Sequence, residues 1–188
     1  MKQQGLVLVF SLLVLLSLTI LGVTSVTSGL FQSRMASSME SQSLAFDAAE
    51  AAISGVVFES EDQTVLVNAA LTDPLSEARQ LNAIDLTLQN LSCFDAVNWV
   101  DRQITEAGLT SGVRQITTGA YNTNPGVNSW SKTAFVREQA CLGSSNVISG
   151  SSINCHVFII RGCGQLTSSS YAVANTLNAA VFAPASSN

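Results

Sequence analysis

LVLVFSLLVLLSLTILGV, residues 6–23, decides the fold. From Leu6 to Ser33 there is no charged side chain, and Lys2 is the only charge before Gly5. A helix needs roughly 20 apolar residues to cross the hydrocarbon core of a bilayer. A cleaved signal peptide has a shorter apolar core, then a small-x-small site before a polar mature start. Here the small residues beyond Val23, among them Thr24, Ser25, Ser28 and Gly29, lie inside a helical pattern that does not stop.

Past the apolar run, Phe31, Met35, Met39, Phe46, Ala49, Ile53 and Val56 recur at helical spacing, with Gln42 as the polar gap. Such steps mark one face of an amphipathic helix. Arg34, Ser37, Glu40, Ser41, Asp47, Glu50 and Ser54 occupy the other face. A continuous helix from about Leu6 to Phe58 would be roughly 80 Å long at 1.5 Å per residue. Its first half would enter lipid and its second half would lie on a globular head. Gly22, Val23, Thr24, Val26, Thr27 and Gly29 are locally poor helix formers. They mark either a frayed membrane exit or a place where the helix unwinds in a fibre. The alanines at positions 45, 48, 49, 51 and 52 restore high helix propensity and allow a sheet to approach closely.

The strings QQGLVLV and LLVLLSLTILGV, then RMA at residues 34–36 and LAFDAAEAA at 44–52, resemble the N-terminal region of PilX-type minor pilins of type IV pili. The resemblance covers about the first third of the chain and includes Gly5, Leu6 to Val23, Arg34, Met35, Ala36, Leu44, Ala45, Phe46, Ala48 and Glu50. It implies a leader, residues 1–5, cut between Gly5 and Leu6 by a prepilin peptidase. It also implies N-methylation of Leu6 and a periplasmic head. Implied partners are other minor pilins, the major pilin, the inner-membrane assembly platform and a large tip adhesin. Residues implied to pack the helix in assembly are Phe10, Phe31, Met35, Phe46, Ala49 and Ile53. Major pilins carry Glu at the fifth residue after the cut; Phe10 stands there in this chain.

Beyond the helix about 130 residues remain, enough for one domain with its own core. The net charge is −5 and only 11% of residues are charged. With no Lys/Arg cluster, the chain lacks the phosphate-neutralising surface on which nucleic-acid affinity rests. Cys93, Cys141, Cys155 and Cys163 all lie in the presumed exported head, where an even number favours disulfides. No CxxC occurs and His156 is the only histidine, which argues against zinc. Cys155 and Cys163 share one expected strand. Eight residues at about 3.3 Å each hold them roughly 26 Å apart, whereas bridged Cα atoms lie within about 7 Å. Cys141–Cys155 closing a hairpin, with Cys93–Cys163 tying the middle section to the sheet, is the preferred pairing.

Within the head, Asp73-Pro74 reads as an N-cap and first helical residue, for a helix from about Pro74 to Asn82. Ser92 and Asp95 resemble a capping box for a second helix, about Cys93 to Thr105, with Phe94, Val97 and Val100 or Ile104 inward and Trp99 in the core. Asn124-Pro125-Gly126 is a turn. Three strands are expected: Thr133 to Ala140; Ile153 to Arg161, stopped by Gly162 and Gly164; and Tyr171 to Phe182. The fold class is α+β and pilin-like. The helix spans 6–59, transmembrane over about 6–28 and amphipathic over about 29–59. The head spans 60–188, with a variable αβ region over 60–130 and a C-terminal antiparallel sheet over 131–183.

No second base stands ready for a nucleophile, and no phosphate-binding glycine motif occurs. No catalytic residue, cofactor or metal ligand is expected; Glu59, Glu61, Asp62, Asp95 and Asp101 read as solvated acids. The expected role is structural: a minor pilin that primes assembly and sits at or near the pilus tip. Location follows: the inner membrane with the head periplasmic, then the pilus surface. The alternatives are a pseudopilin of a type II secretion system and a membrane-anchored receptor or enzyme with a pilin-like anchor.

Overall fold

The computed structural model describes residues 4–68, 70–88, 91–104, 109, 111–112, 114–115, 124–141 and 153–184. The chain divides into two units, Met1–Ser41 and Gln42–Asn188, taken here one at a time. In the first, every described residue belongs to helix α1, Gln4–Glu61. Its apolar window has a mean hydropathy of 2.9, and none of it is buried by protein. The few hydroxyls in this stretch bond back to their own helix: Ser11 donates to the Leu8 carbonyl, Ser17 to Val14, Thr19 to Leu16 and Thr24 to Leu21. In hydrocarbon an unsatisfied polar group costs several kcal/mol, on the order of 2–7. These bonds let serine and threonine sit in the run at little cost. The helix also continues through Gly22 and Gly29.

The second unit opens with residues 42–61 of α1. Asp62 then caps α2, Gln63–Val67, and Asp73 caps α3, Pro74–Gln80, its carboxylate accepting from the Leu75 and Ser76 amides at 3.0 and 3.1 Å. Four strands follow in simple antiparallel order: β1 Val100–Ile104, β2 Val127–Gln139, β3 Ile153–Leu166 and β4 Val173–Pro184. Val100 lies opposite Thr133, Thr133 opposite Ile160 and Ile160 opposite Leu177, and the β2–β3 register shifts by one residue between Phe135 and Arg137.

Small residues explain how the helix meets the sheet. Ala45, Ala48, Ala49 and Ala52 are buried on α1. Facing them, β2 presents Ser129, Ser131 and Thr133, while β3 presents Gly162 and Gly164. The Ser129 hydroxyl donates to the Ala48 carbonyl at 2.6 Å. A Cβ on Gly162 would overlap the Ala49 carbonyl, and one on Gly164 would overlap that of Ala45. Farther along, Ile53 and Val56 meet Ile160, with Leu75 and Ala179 beside them. The helix–sheet layer is thus thin at its alanine–glycine end and filled by branched side chains at the other.

The opposite face of the sheet is covered by chain without helix or strand. Trp99, Ile84, Ala134 and Ile159 form a buried cluster there, with Leu91 and Val136 packed against it. The Ile84 amide donates to the Phe135 carbonyl at 2.9 Å, and the Cys93–Cys163 disulfide joins this layer to β3. Covered on both faces, β3 reads as a near-continuous apolar run.

Several expectations need correction. Residues 93–104 do not form a helix: Cys93-Phe94 and Val97-Asn98 are turns, and Val100 begins β1. Phe94 and Val97 are exposed, whereas Trp99, Val100 and Ile104 are buried. The Ser92 hydroxyl accepts from the Phe94 amide and the Ser92 carbonyl from the Asp95 amide, so the capping-box residues close a turn. Asn98 at φ 59° is left-handed, a conformation Asn tolerates and a helix interior does not. Gly162 and Gly164 do not end β3, which runs on to Leu166. The sheet has a fourth strand, β1, inside the middle region, and β2 starts at Val127, ahead of the expected start at Thr133. α3 ends at Gln80, two residues short of Asn82. Residues 105–108 and 142–152, which include parts of the expected second helix and the serine-rich loop, lie outside the described residues.

Candidate assembly surface

Residues expected to pack the helix fall into two sets. Phe10, Phe31 and Met35 in the first unit are exposed, at 69, 74 and 70%. Along Leu6 to Val23 the apolar side chains point in every direction around α1. A helix apolar all round is stable only when lipid or other helices surround it. Arg34 and Glu40 are the first charges beyond the run. Gly5 and Leu6 lie in the first turn of α1.

Ala49 and Ile53, by contrast, are core residues of the head. They hold the helix to its own sheet and are not available to a neighbour. Phe46 stands between the two sets, 45% exposed on a helix whose next-door Ala45 is buried. Spacing alone put Phe46, Ala49 and Ile53 on one stripe. The sheet instead contacts the small residues, and the bulky phenylalanine turns aside.

Glu59, expected to be a solvated acid, instead lies in a polar core at the far end of the head-bound helix. Glu59 is 1% exposed and accepts from Arg102 Nε at 3.0 Å; Arg102, on β1, is equally buried. Arg102 Nη2 also donates to Glu77 of α3 at 2.7 Å and to the Thr72 carbonyl. Arg114 bonds the same Glu77 oxygen. Burial alone would raise the Glu77 carboxyl; the Arg102 and Arg114 guanidinium groups outweigh it and hold it below the usual carboxylate range. One arginine therefore ties α1, α3 and the edge strand together. Neither composition nor spacing signals this, because the partners lie far apart in sequence.

Of the other acids expected to be solvated, Glu61 is exposed, whereas Asp62, Asp95 and Asp101 are engaged. Asp62 accepts from the Thr64 hydroxyl and amide, the Ser111 hydroxyl and the Gly112 amide, and its pKa is lowered to about 2, chiefly by the Thr64 hydroxyl. Asp101 pairs with Lys132 at 2.8 Å, and Asp95 accepts from the Val97 amide. Among the described residues no three His, Cys, Asp or Glu side chains converge as a metal site. His156 is buried on β3, its ring tilted against Phe135 at 5.6 Å, with Glu138 3.8 Å away. Among the described residues no nucleophile is bonded to the ring.

Two disulfides complete the head. Cys93 joins Cys163 with Cα atoms 5.9 Å apart, and Cys141 joins Cys155 at 5.0 Å. Cys155 and Cys163 lie on the same strand, β3, which keeps them from each other. Cys93–Cys163 closes the longer loop, which in the chain-entropy model constrains the unfolded state more.

Compared with known proteins, residues 4–54 match the PilX N-terminal family. No curated protein and no solved structure matches the chain. The matched segment runs from the start of α1 through the exposed apolar stretch to Ile53 on the head.

Proposed function

We propose, from the match of residues 4–54 to the PilX N-terminal family, that the chain is a PilX-type minor pilin of a type IV pilus, one that primes pilus assembly and sits at or near the tip. Its leader, residues 1–5, is removed between Gly5 and Leu6, and Leu6 is then N-methylated. The mature helix anchors the chain in the inner membrane with its head in the periplasm until the chain enters the pilus. No catalytic role is assigned: the acids of the head are engaged in holding the fold, and the lone histidine lies in its core.

The observation that carries the tip position is Phe10. In major pilins the fifth residue after the cut is a glutamate that neutralises the amino terminus of a neighbouring subunit inside the membrane. An unpaired charge in hydrocarbon costs several kcal/mol, at least about 2.5–3.5 at mid-bilayer. A subunit with Phe10 offers no carboxylate, so it docks poorly beneath a preceding subunit. Where no subunit precedes it, the loss does not matter. Partners are therefore other minor pilins and the major pilin through α1, the assembly platform, and a large adhesin at the tip.

Gold labelling of the head on sheared pili tests this reading. Label confined to fibre ends, in few copies per fibre, is the expected result. Regular label along the shaft at the abundance of the major subunit would refute the tip position. Deletion of the gene should abolish surface pili; loss of protein secretion with pili intact would instead identify a secretion pseudopilin.

A further inference from the structure

The two edges of the sheet are finished differently. β1 is five residues long, carries Asp101 and Arg102, and its Gln103 amide donates to the Gln115 carbonyl of an adjacent segment. Shortness, charge and a covering segment are the devices that keep an edge from pairing with foreign chains. β4 has none of them. It spans twelve residues, VANTLNAAVFAP, contains no charge, and pairs with β3 in unbroken register from Val173 to Pro184. Among the described residues no strand lies on its second side.

The backbone of β4 shows which groups are free. In an antiparallel ladder, alternate residues turn both amide and carbonyl to the same side. The Thr176 amide bonds the Asn175 side chain, not β3. The even-numbered residues Ala174, Thr176, Asn178, Ala180 and Phe182 therefore direct their backbone groups to the open edge. Side chains along that edge are sorted by face. Leu177 and Val181, on the helix side, are each 38% exposed where the sheet stops, while Thr176 and Asn178 stand exposed on the other side.

We propose that β4 is a strand-addition site, taking an extended, uncharged segment of another protein as a fifth strand. The donated strand alternates: apolar side chains extend the core beside Leu177 and Val181, and small polar ones lie beside Thr176 and Asn178. A second copy of this chain is the wrong occupant. β3 runs against α1, since Gly164 lies at Ala45, Gly162 at Ala49 and Ile160 at Ile53 and Val56. β4 consequently runs with the helix, from Val173 near Ala45 to Ala179 near Ile53. Two β4 strands paired antiparallel about a two-fold axis would put the two residue-42 ends at opposite ends of one sheet. In the reading proposed above, where every chain is anchored in one membrane by the segment that precedes residue 42, two chains do not pair in that way. The site does not depend on the tip position proposed above.

The test uses the full chain in detergent micelles and the uncharged peptide acetyl-Thr-Val-Thr-Val-Asn-Val-Thr-Val-Thr-amide. Amide exchange is followed by NMR. With saturating peptide, the amides of Ala174, Asn178, Ala180 and Phe182 should exchange at least tenfold more slowly, while odd-numbered amides of β4 stay as they were. Asn178→Pro removes one outward amide without touching the β3 ladder and should abolish the response; Asn178→Ala should keep it. An unchanged exchange pattern in the unsubstituted chain overturns the proposal, however the proline variant folds. So does protection of the even-numbered amides without peptide that grows with protein concentration, which would mean self-pairing.

Discussion

Replacing Gly164 by valine should lower the melting temperature of the head by roughly 10 °C or more, corresponding to about 3–5 kcal/mol. The reason is geometric. The first carbon of any side chain at this position would occupy the space of the Ala45 carbonyl and would also lie 2.9 Å from the Ala49 amide nitrogen. Backbone cannot rotate out of the way as a side chain does. Either α1 lifts from the sheet, exposing Ala45, Ala48 and Leu166, or β3 breaks its pairing with β2 and β4. Gly126→Ala is the control, because its Cβ would meet only the Thr167 side chain. Near-ultraviolet circular dichroism of the full chain in detergent, recorded through thermal unfolding, reads both. A Gly164→Val protein melting within about 2 °C of the parent would show that the helix is not seated on the glycines as described.

The second large effect is expected at Arg102. Arg102→Met removes the guanidinium from a site only 2% exposed and leaves the Glu59 carboxylate, 1% exposed, without its cation. Breaking one side of a buried pair costs about 3–5 kcal/mol, because the remaining charge is stranded. Removing both charges costs less. The double variant Glu59→Leu with Arg102→Met should therefore be more stable than Arg102→Met alone, with a coupling on the order of 2 kcal/mol. Glu77, 36% exposed and also bonded by Arg114, can return to water and should not dominate the loss. Denaturant unfolding of the four proteins of the cycle measures this. Strictly additive effects would mean that the pair does not act as a unit.

How far this architecture could be read from the chain depended on the range of the interaction. The long apolar helix was legible because an eighteen-residue stretch, almost entirely apolar and without charge, leaves few alternatives. Its continuation into the head was legible because the spacing of Ala49, Ile53 and Val56 is local information. β3 was legible through its density of β-branched and aromatic residues, yet its end was misjudged. Gly162 and Gly164 looked like stop signals, whereas a helix carbonyl occupies the space that their side chains would fill. Residues 93–104 were misread for a related reason. Ser92, Asp95, Val97 and Val100 fit a helical template, but tertiary demands prevailed: Cys93 must reach Cys163, Trp99 must enter the cluster with Ile84, and Val100 must pair opposite Thr133. The Glu59–Arg102–Glu77 cluster had no sequence signal, since its members come from three elements. The open edge of β4 became visible only once the strand order was known.

In the function proposed above, α1 is a pilin helix, processed at Gly5 and retained as the anchor of the mature chain. Intact-mass analysis of the protein purified from membranes of its own host, followed by sequencing of its first residues, tests it most directly. The account predicts a mature chain that begins LVLVF at Leu6 and carries one added methyl group on its amino terminus. A mature terminus near Ser25 or Ser28 would mean that the apolar run is an ordinary signal peptide, and would contradict the account.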